Sequence, residues 1–275
     1  GNNNVALGYD ALNSNTTASN NTAVGYQAGS STTTGATNTA VGYETFYSNT
    51  SGTQNAAFAD RALRANTNGN YNTALGALSL FNNTTAWNNT AVGYQAGYSG
   101  TTAANNAWVG YQAGYSATGN YNTGMGDRAL RSMTSAEKNS AFGMAALYNN
   151  TTGSYNTGLG SSALESNTTA SFNTAVGYQA GYSNTTGTPN TAIGYQALYT
   201  NTTGGSNFAG GAFALDANTT GANNIGIGTN ALGANTSGNF NTAIGDSAMA
   251  ANTTANDNVA VGQSALDANT TGASN

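Results

Sequence analysis

The phrase NTAVGYQA stands at residues 21–28, 89–96 and 173–180, and variants of it recur along the whole chain. Each repeat has one anchor position at the glycine of this phrase. Fourteen of the fifteen intervals between anchors are 17 residues, and the interval from Gly110 to Gly126 is 16. A short, fixed period is typical of solenoids, in which each small unit is buried only by its neighbours. The sequence therefore predicts an all-β, parallel β-solenoid or β-roll of about sixteen 17-residue coils, forming a single array over residues 1–275.

The sixteen anchors define the repeat register used below. They are Gly8, Gly25, Gly42, Ala59, Gly76, Gly93, Gly110, Gly126, Gly143, Gly160, Gly177, Gly194, Gly211, Gly228, Gly245 and Gly262. The first and last repeats resemble the interior ones and carry no polar cap, although solenoids need capping units for solubility. We therefore expect that the chain is a fragment of a longer array.

An asparagine precedes every anchor by four residues. Its amide carries donors and an acceptor, so identical asparagines stacked coil over coil can hydrogen-bond along the solenoid axis. We predict a structural asparagine ladder formed by Asn4, Asn21, Asn38, Asn55, Asn72, Asn89, Asn106, Asn122, Asn139, Asn156, Asn173, Asn190, Asn207, Asn224, Asn241 and Asn258.

The residues around the anchor predict a strand, a glycine corner, a second short strand and a polar loop. A larger apolar residue directly precedes most anchors, as at Val24 and Ile193, and the residue before it is usually Ala or Gly. Because successive strand side chains point to opposite faces, we predict that the larger residues form the core row and the small ones an outward strip. Trp108 interrupts that strip once.

The composition excludes several classes of function. Five basic and ten acidic residues leave no basic surface, so we predict no nucleic-acid partner. The chain has no cysteine, no histidine, no recurrent carboxylate pair and no long apolar run. We therefore expect no enzyme activity, no metal, no cofactor and no membrane insertion. Phrases such as GMGDRA from Gly124 match a dinucleotide-binding fingerprint only by following the repeat register, since none opens an amphipathic helix.

Two tyrosine rows follow the anchors at one and five residues. Aromatic rings can stack on sugars because they combine an apolar face with a hydroxyl. Mutual packing of the rings at the edge of the coil is the simpler interpretation, and glycan binding is the functional alternative. The candidate glycan-stacking residues are Tyr94, Tyr98, Tyr111, Tyr115, Tyr178, Tyr182, Tyr195 and Tyr199.

Eleven repeats carry an N-x-[ST] sequon seven residues after the anchor. Such sequons arise by chance in chains rich in Asn and Thr, but their fixed position predicts loops that face outward once per coil and could be glycosylated. The candidate acceptors are Asn15, Asn49, Asn83, Asn150, Asn167, Asn184, Asn201, Asn218, Asn235, Asn252 and Asn269. Two DRALR segments, at 60–64 and 127–131, hold four of the five basic residues, and we interpret them as solvated ion pairs.

The repeated NTAVGYQA phrase and its polar loop resemble the head repeats of trimeric autotransporter adhesins and similar repeats in phage or viral tail-fibre proteins. This resemblance implies a left-handed parallel β-roll packed as a homotrimer, in an extracellular fibre on a cell surface or virion. It also implies self-association as the main partnership, with cell-surface glycans as possible ligands.

A non-enzymatic structural or adhesive fibre segment is therefore the first functional hypothesis. The alternative is an ice-binding solenoid, because threonine lies three residues before the anchor in nine repeats, as at Thr22 and Thr174. A continuous threonine ladder is interrupted at Val5, Ala56, Phe208 and Ile225, which counts against this alternative.

Overall fold

A computed structural model describes all 275 residues and confirms an all-β solenoid of sixteen short parallel strands. Each strand lies immediately before an anchor. The strands are β1 (Val5–Leu7), β2 (Thr22–Val24), β3 (Thr39–Val41), β4 (Ala56–Phe58), β5 (Thr73–Leu75), β6 (Thr90–Val92), β7 (Ala107–Val109), β8 (Thr123–Met125), β9 (Ser140–Phe142), β10 (Thr157–Leu159), β11 (Thr174–Val176), β12 (Asn190–Ile193), β13 (Asn207–Gly210), β14 (Ile225–Ile227), β15 (Thr242–Ile244) and β16 (Val259–Val261).

The coils fall into two compact units, Gly1–Glu137 with β1 to β8 and Lys138–Asn275 with β9 to β16. Within each unit the strands pair in chain order and in repeat register, so that Thr22 lies opposite Thr39. Coils are also joined outside the strands, for example by the bond of 2.8 Å from the Gln27 backbone N–H to the Tyr9 carbonyl. Backbone pairing therefore continues around much of each coil.

The anchor glycines turn the chain at the end of each strand. Gly25, for example, has a φ of 132°, a backbone conformation that side chains disfavour. A β-carbon built on Gly25 would also overlap the carbonyl of Gly42 in the next coil. The close stacking of coils and the backbone conformation together explain why the anchor is glycine. Ala59 is the single exception, with a φ of 99°.

The predicted second strand is wrong. Residues two and four positions after the anchor adopt the left-handed conformation, as at Gln27 with a φ of 51° and Phe46 with a φ of 56°. Alternating left-handed residues cannot form an extended strand, because a strand requires φ values near −120°. This part of the coil is instead a series of turns whose backbone groups still bond to neighbouring coils, as Leu12 does to Ala28 at 3.1 Å.

The predicted orientation of the strands is also wrong, because the small residues face the core and the larger ones face outward. Ala23 and Ala57 are buried, whereas Ile193 is 42% exposed and Leu159 is 47% exposed. The larger residues predicted as the core row are Leu7, Val24, Val41, Phe58, Leu75, Val92, Val109, Phe142, Val176, Ile193, Ile227, Ile244 and Val261, and none of them is buried.

The interior is narrow, which explains the inversion. A second alanine column, three residues after the anchor, and a mostly leucine column, four after the anchor, fill it; Ala62 and Leu63 are completely buried. Between these columns and the strand, a carbon beyond alanine has little room, since protein interiors are already close-packed. The strand residues that face the core are therefore small, because the opposite side of the same coil lies close to them.

Trp108 occupies space that two missing leucines leave open. In its coil and the preceding one the leucine column carries glycine, at Gly114 and Gly97, and a β-carbon on either would collide with the Trp108 ring. Gly124, in the small column of the next coil, lies against the same ring, with Trp108 Cε3 3.0 Å from its β-carbon position. Trp108 is 2% exposed and is thus a core residue that compensates for three glycines.

Candidate functional surfaces and interior ladders

The asparagines four residues before the anchor form the predicted ladder, here called the first ladder. Within each unit the Oδ1 atom of these asparagines accepts the backbone N–H of the equivalent asparagine one coil later, as in the bond of 2.8 Å from Asn38 to Asn21. The Nδ2 group donates across the coil to a carbonyl fourteen residues later, from Asn38 to Gly52 at 2.8 Å. These side chains therefore hold both the stacking of the coils and the closure of each coil.

The sequon asparagines do not face outward as predicted, because they form a second ladder inside the coil. In the second unit Asn184 donates to Asn167 Oδ1 at 3.0 Å, and Asn201 donates to Asn184 Oδ1 at 2.8 Å. Nine of the eleven candidates are buried, namely Asn49, Asn83, Asn150, Asn167, Asn184, Asn201, Asn218, Asn235 and Asn252, while Asn15 and Asn269 are half-buried.

The sequence signal at these positions therefore serves packing, and it does not depend on the sequon. Asn66 belongs to the same ladder, donating to Asn49 Oδ1 at 3.2 Å, although Asn68 two residues later breaks its sequon. The nitrogen that would carry a glycan is a buried hydrogen-bond donor in the folded coil.

A row of shared carbonyls joins the two ladders. The Gly221 carbonyl accepts Nδ2 of Asn207 at 2.8 Å from the first ladder and Nδ2 of Asn218 at 2.9 Å from the second. The same arrangement recurs at Gly52, Gly69, Ala86, Gly153, Ala170, Gly204, Gly238, Ala255 and Gly272. Because a carbonyl oxygen has two lone pairs, both donors can be satisfied at once.

A threonine row adjacent to the second ladder was missed by the sequence analysis. All sixteen repeats have threonine eight residues after the anchor, which is as regular a signal as the first ladder. Its hydroxyl donates to the backbone carbonyl of the equivalent threonine one coil later, as from Thr219 to Thr236 at 2.9 Å. The next residue, such as Thr220, is exposed, and its hydroxyl has no hydrogen-bond partner.

The coil from Gly110 to Gly126 is one residue shorter than the other coils, and the missing residue is the one at this exposed position. Thr118 keeps its hydroxyl bond, to the Thr134 carbonyl at 2.8 Å, and the next residue is already Gly119, whose carbonyl accepts Asn106 Nδ2 at 3.1 Å. The first ladder then resumes in register, with the Asn122 N–H on Asn106 Oδ1 at 2.8 Å. The deletion therefore affects only the loop surface.

The tyrosine rows pack mainly against themselves. Ring centroids of Tyr94 and Tyr111 lie 5.6 Å apart, and those of Tyr98 and Tyr115 lie 5.1 Å apart, with nearly parallel planes. In the second unit, Tyr178 stacks on Tyr195 at 5.5 Å and Tyr182 on Tyr199 at 5.2 Å. Each stacked ring covers one face of its neighbour, while Tyr94 and Tyr111 remain 44% and 50% exposed.

The two DRALR segments place one arginine in an exposed pair and the other in an aromatic stack. Arg61 pairs with Asp60 at 3.2 Å, and Arg128 pairs with Asp127 at the same distance. Arg64 instead lies between the rings of Tyr47 and Phe81, at 5.1 and 5.9 Å, and bonds to Glu44 at 2.8 Å.

Arg131 repeats this arrangement over Tyr115 at 5.3 Å. Phe81 in turn stacks on Tyr98 at 5.3 Å. The guanidinium groups therefore extend the row of rings that begins at Tyr47, as planar cations stacked on aromatic faces do elsewhere.

The outward strand face is long and uncharged. In every coil it presents the residue three before the anchor, mostly threonine, and the residue directly before the anchor, mostly Val, Ile, Leu or Phe. None of these thirty-two positions holds Asp, Glu, Lys or Arg. Exposed apolar side chains along this face include Phe58 at 38%, Ile193 at 42% and Ile227 at 40%. We call this surface the strand face.

No group of three His, Cys, Asp or Glu side chains comes together, and the molecule has no pocket. The chain also has no helix with the length and apolarity needed to cross a membrane. The fold and its interior thus define a parallel β-solenoid with two asparagine ladders. Comparison with family models, curated proteins and solved structures finds no match.

Proposed function

We propose that this chain is a non-enzymatic segment of an extracellular structural or adhesive fibre, which assembles with copies of itself through the strand face. The observation that carries the proposal is the uncharged, exposed apolar column along that face. Continuous apolar patches are uncommon on monomeric proteins and usually mark a surface that is buried in an assembly. A homotrimer of left-handed coils is the assembly that we propose, in keeping with the resemblance to adhesin heads and tail fibres.

The interior ladders suit a fibre because they fix the spacing of the coils without a large hydrophobic core. In most coils of the second unit, backbone bonds, two asparagine bonds and a threonine bond join one coil to the next, as at Asn224, Asn218 and Thr219. Most of the buried amide groups in these ladders are hydrogen-bonded, and satisfied networks favour a single rigid arrangement. Repetition then supplies length, and the outer columns supply the surface that contacts partners.

Charge substitution tests the assembly. We expect wild-type chain to have the mass of a trimer by light scattering, and a variant with Val24→Lys, Val92→Lys and Val176→Lys to be monomeric, because three buried cations per chain would lack partners. The control carries Thr34→Lys, Thr102→Lys and Thr186→Lys on the exposed loop position, adding equal charge away from the strand face, and should stay trimeric. A wild-type monomer at high protein concentration contradicts the proposed assembly.

Glycan contact is a further part of the adhesive proposal, at the exposed edges of the tyrosine rows. The test compares glycan-array binding of wild type with a variant in which Tyr94, Tyr98, Tyr111 and Tyr115 are changed to Ser. We expect binding to fall because Tyr94 and Tyr111 are 44% and 50% exposed and offer hydroxyls to a sugar. Unchanged binding removes these tyrosines as the site.

Ice binding is a second candidate, which the orientation of the strand face favours. Thr22 and Val24 point outward side by side and lie in register with Thr39 and Val41, giving hydroxyl and methyl groups in parallel columns. The test is thermal hysteresis of the wild-type chain and of a Thr22→Lys, Thr90→Lys, Thr174→Lys variant. Activity in the first and not in the second would favour ice binding over the fibre proposal.

A further inference from the structure

We propose that Asn68 is a site of spontaneous deamidation, at which the coil acquires a negative charge and an isoaspartate linkage. Asn68–Gly69 is the only Asn–Gly pair in the chain. Glycine favours this reaction because it has no β-carbon to obstruct the approach of its nitrogen to the preceding side chain. Equivalent positions in neighbouring coils carry Ser51 and Thr85, which have no amide to lose.

The local geometry leaves the Asn68 side chain exposed, while Gly69 is buried beside it. Asn68 lies at the exposed loop position, and its Oδ1 shares the single proton of the Thr67 hydroxyl, at 3.2 Å, with the Thr84 carbonyl at 3.1 Å. The Gly69 backbone N–H donates no hydrogen bond, whereas that of Gly52, one coil earlier, is held on Asn49 Oδ1 at 3.0 Å. The nucleophilic nitrogen at Gly69 is therefore not restrained by an acceptor.

The reaction needs no reagent other than water. The Gly69 nitrogen loses its proton and bonds to Cγ of Asn68, while the bond from Cγ to the side-chain nitrogen breaks and ammonia leaves with the proton. Water then opens the resulting cyclic imide at either carbonyl. One product is aspartate, and the other is isoaspartate, in which the main chain runs through the former side chain.

The product disturbs both ladders at one point. The Gly69 carbonyl accepts Asn55 Nδ2 at 2.9 Å and Asn66 Nδ2 at 3.1 Å. An isoaspartate at 68 inserts a methylene into the main chain directly before Gly69, so this shared carbonyl moves relative to the two amides. Because buried polar groups without partners destabilise a fold, the modified coil should open more readily than its neighbours.

The experiment ages purified protein at mildly alkaline pH and maps deamidation by peptide mass spectrometry and isoaspartate-specific methylation. Asn68 should be the first asparagine converted, ahead of Asn13, which is also exposed but is followed by Ser14. Asn68→Thr, which restores the residue of most coils, should abolish the early signal, and Gly69→Ala should slow it while keeping the asparagine.

Hydrogen exchange of the aged wild type should show lost protection at residues 55–69 and no loss in aged Asn68→Thr. A native chain that keeps Asn68 intact while the urea-unfolded chain loses it would overturn the proposal, since the fold would then protect the site. Equal conversion of Asn13 and Asn68 would overturn it as well, because neither the glycine nor the local geometry would then matter.

Discussion

The stretch from Gly97 to Met133 and the stretch from Asn150 to Asn252 show how differently the two ladders tolerate change. In the second stretch the second ladder runs through seven coils without a break. In the first stretch three successive coils replace its asparagine with Gly100, Ala117 and Met133, and one coil is a residue shorter. The first ladder nevertheless continues there, since the Asn106 backbone N–H donates to Asn89 Oδ1 at 2.9 Å.

The difference follows from what each ladder bonds. The Oδ1 of a first-ladder asparagine accepts a buried backbone N–H, which has no other partner and is present whatever residue stands there. The second-ladder Oδ1 accepts another side chain, so the donor and the acceptor can be lost together. Removing both partners of a hydrogen bond costs far less than orphaning one. This explains why sixteen coils keep the first ladder and four coils, including that of Thr32, have abandoned the second.

The largest expected effect on stability is at Trp108, the core residue in the stretch from Gly97 to Met133. Trp108→Ala leaves a cavity over Gly97 and Gly114, and we expect a loss of about 3–5 kcal/mol in the free energy of unfolding. Denaturant unfolding measures it. The double variant Trp108→Ala, Gly114→Leu restores the small and leucine columns of the other coils and should recover part of the loss. No recovery would contradict the volume argument.

The comparison of the ladders is tested directly in the second unit. Asn224→Ala orphans the Asn241 backbone N–H, now bonded at 3.0 Å, and should cost about 1–3 kcal/mol. Asn218→Ala should cost less, because Asn235 Nδ2 keeps its bond to the Gly238 carbonyl at 3.1 Å. Hydrogen exchange at Asn241 should accelerate only in the first variant. Equal losses in both variants would show that the ladders are equivalent.

A single substitution should also stabilise the stretch from Gly97 to Met133. Asn83 Oδ1 is buried without a partner, since Gly100 stands where the next asparagine would donate. Gly100→Asn should therefore raise the free energy of unfolding by about 1 kcal/mol. Gly100→Ala is the control for the added β-carbon, and an equal gain from alanine would assign the effect to the backbone.

The smallest effect separates two neighbouring threonines. Thr219→Val removes the hydroxyl bond to the Thr236 carbonyl and should cost about 0.5–1 kcal/mol, whereas Thr220→Val removes no bond and should be neutral. The thermal midpoints of the two variants, measured side by side, give the comparison. A destabilised Thr220→Val would mean that the exposed position also contributes to the fold.

The repeat register, the parallel strands and the first ladder could be predicted because each depends on a residue type at a fixed spacing. The inside and outside of the strand could not. Strand alternation places Ala23 and Val24 on opposite faces, but which face is buried depends on the space inside the coil. That space is set by the turn segment around Ala28, whose left-handed residues carry no strong sequence signature.

The candidate site residues could be predicted only in part, for similar reasons. The sequence predicts the asparagines seven after the anchor, such as Asn184, at the surface, because polar residues usually lie there. They are buried because neighbouring coils offer identical partners, which a single repeat does not reveal. The threonine column at Thr219 is as regular in the sequence as the first ladder, but it lies inside the sequon, which suggests a different role for the same residues. Trp108 needed the structure, since its space is created by glycines six and eleven residues away.

The shortened coil indicates where this scaffold could be enlarged. Since the coil after Gly110 omits its exposed loop residue and still stacks in register, the same position in other coils, such as Thr220, is the point at which foreign peptides could be grafted. Coils would then display identical epitopes along one line at the spacing of the repeat. Avidity for a multivalent receptor could be tuned by the number of grafted coils alone.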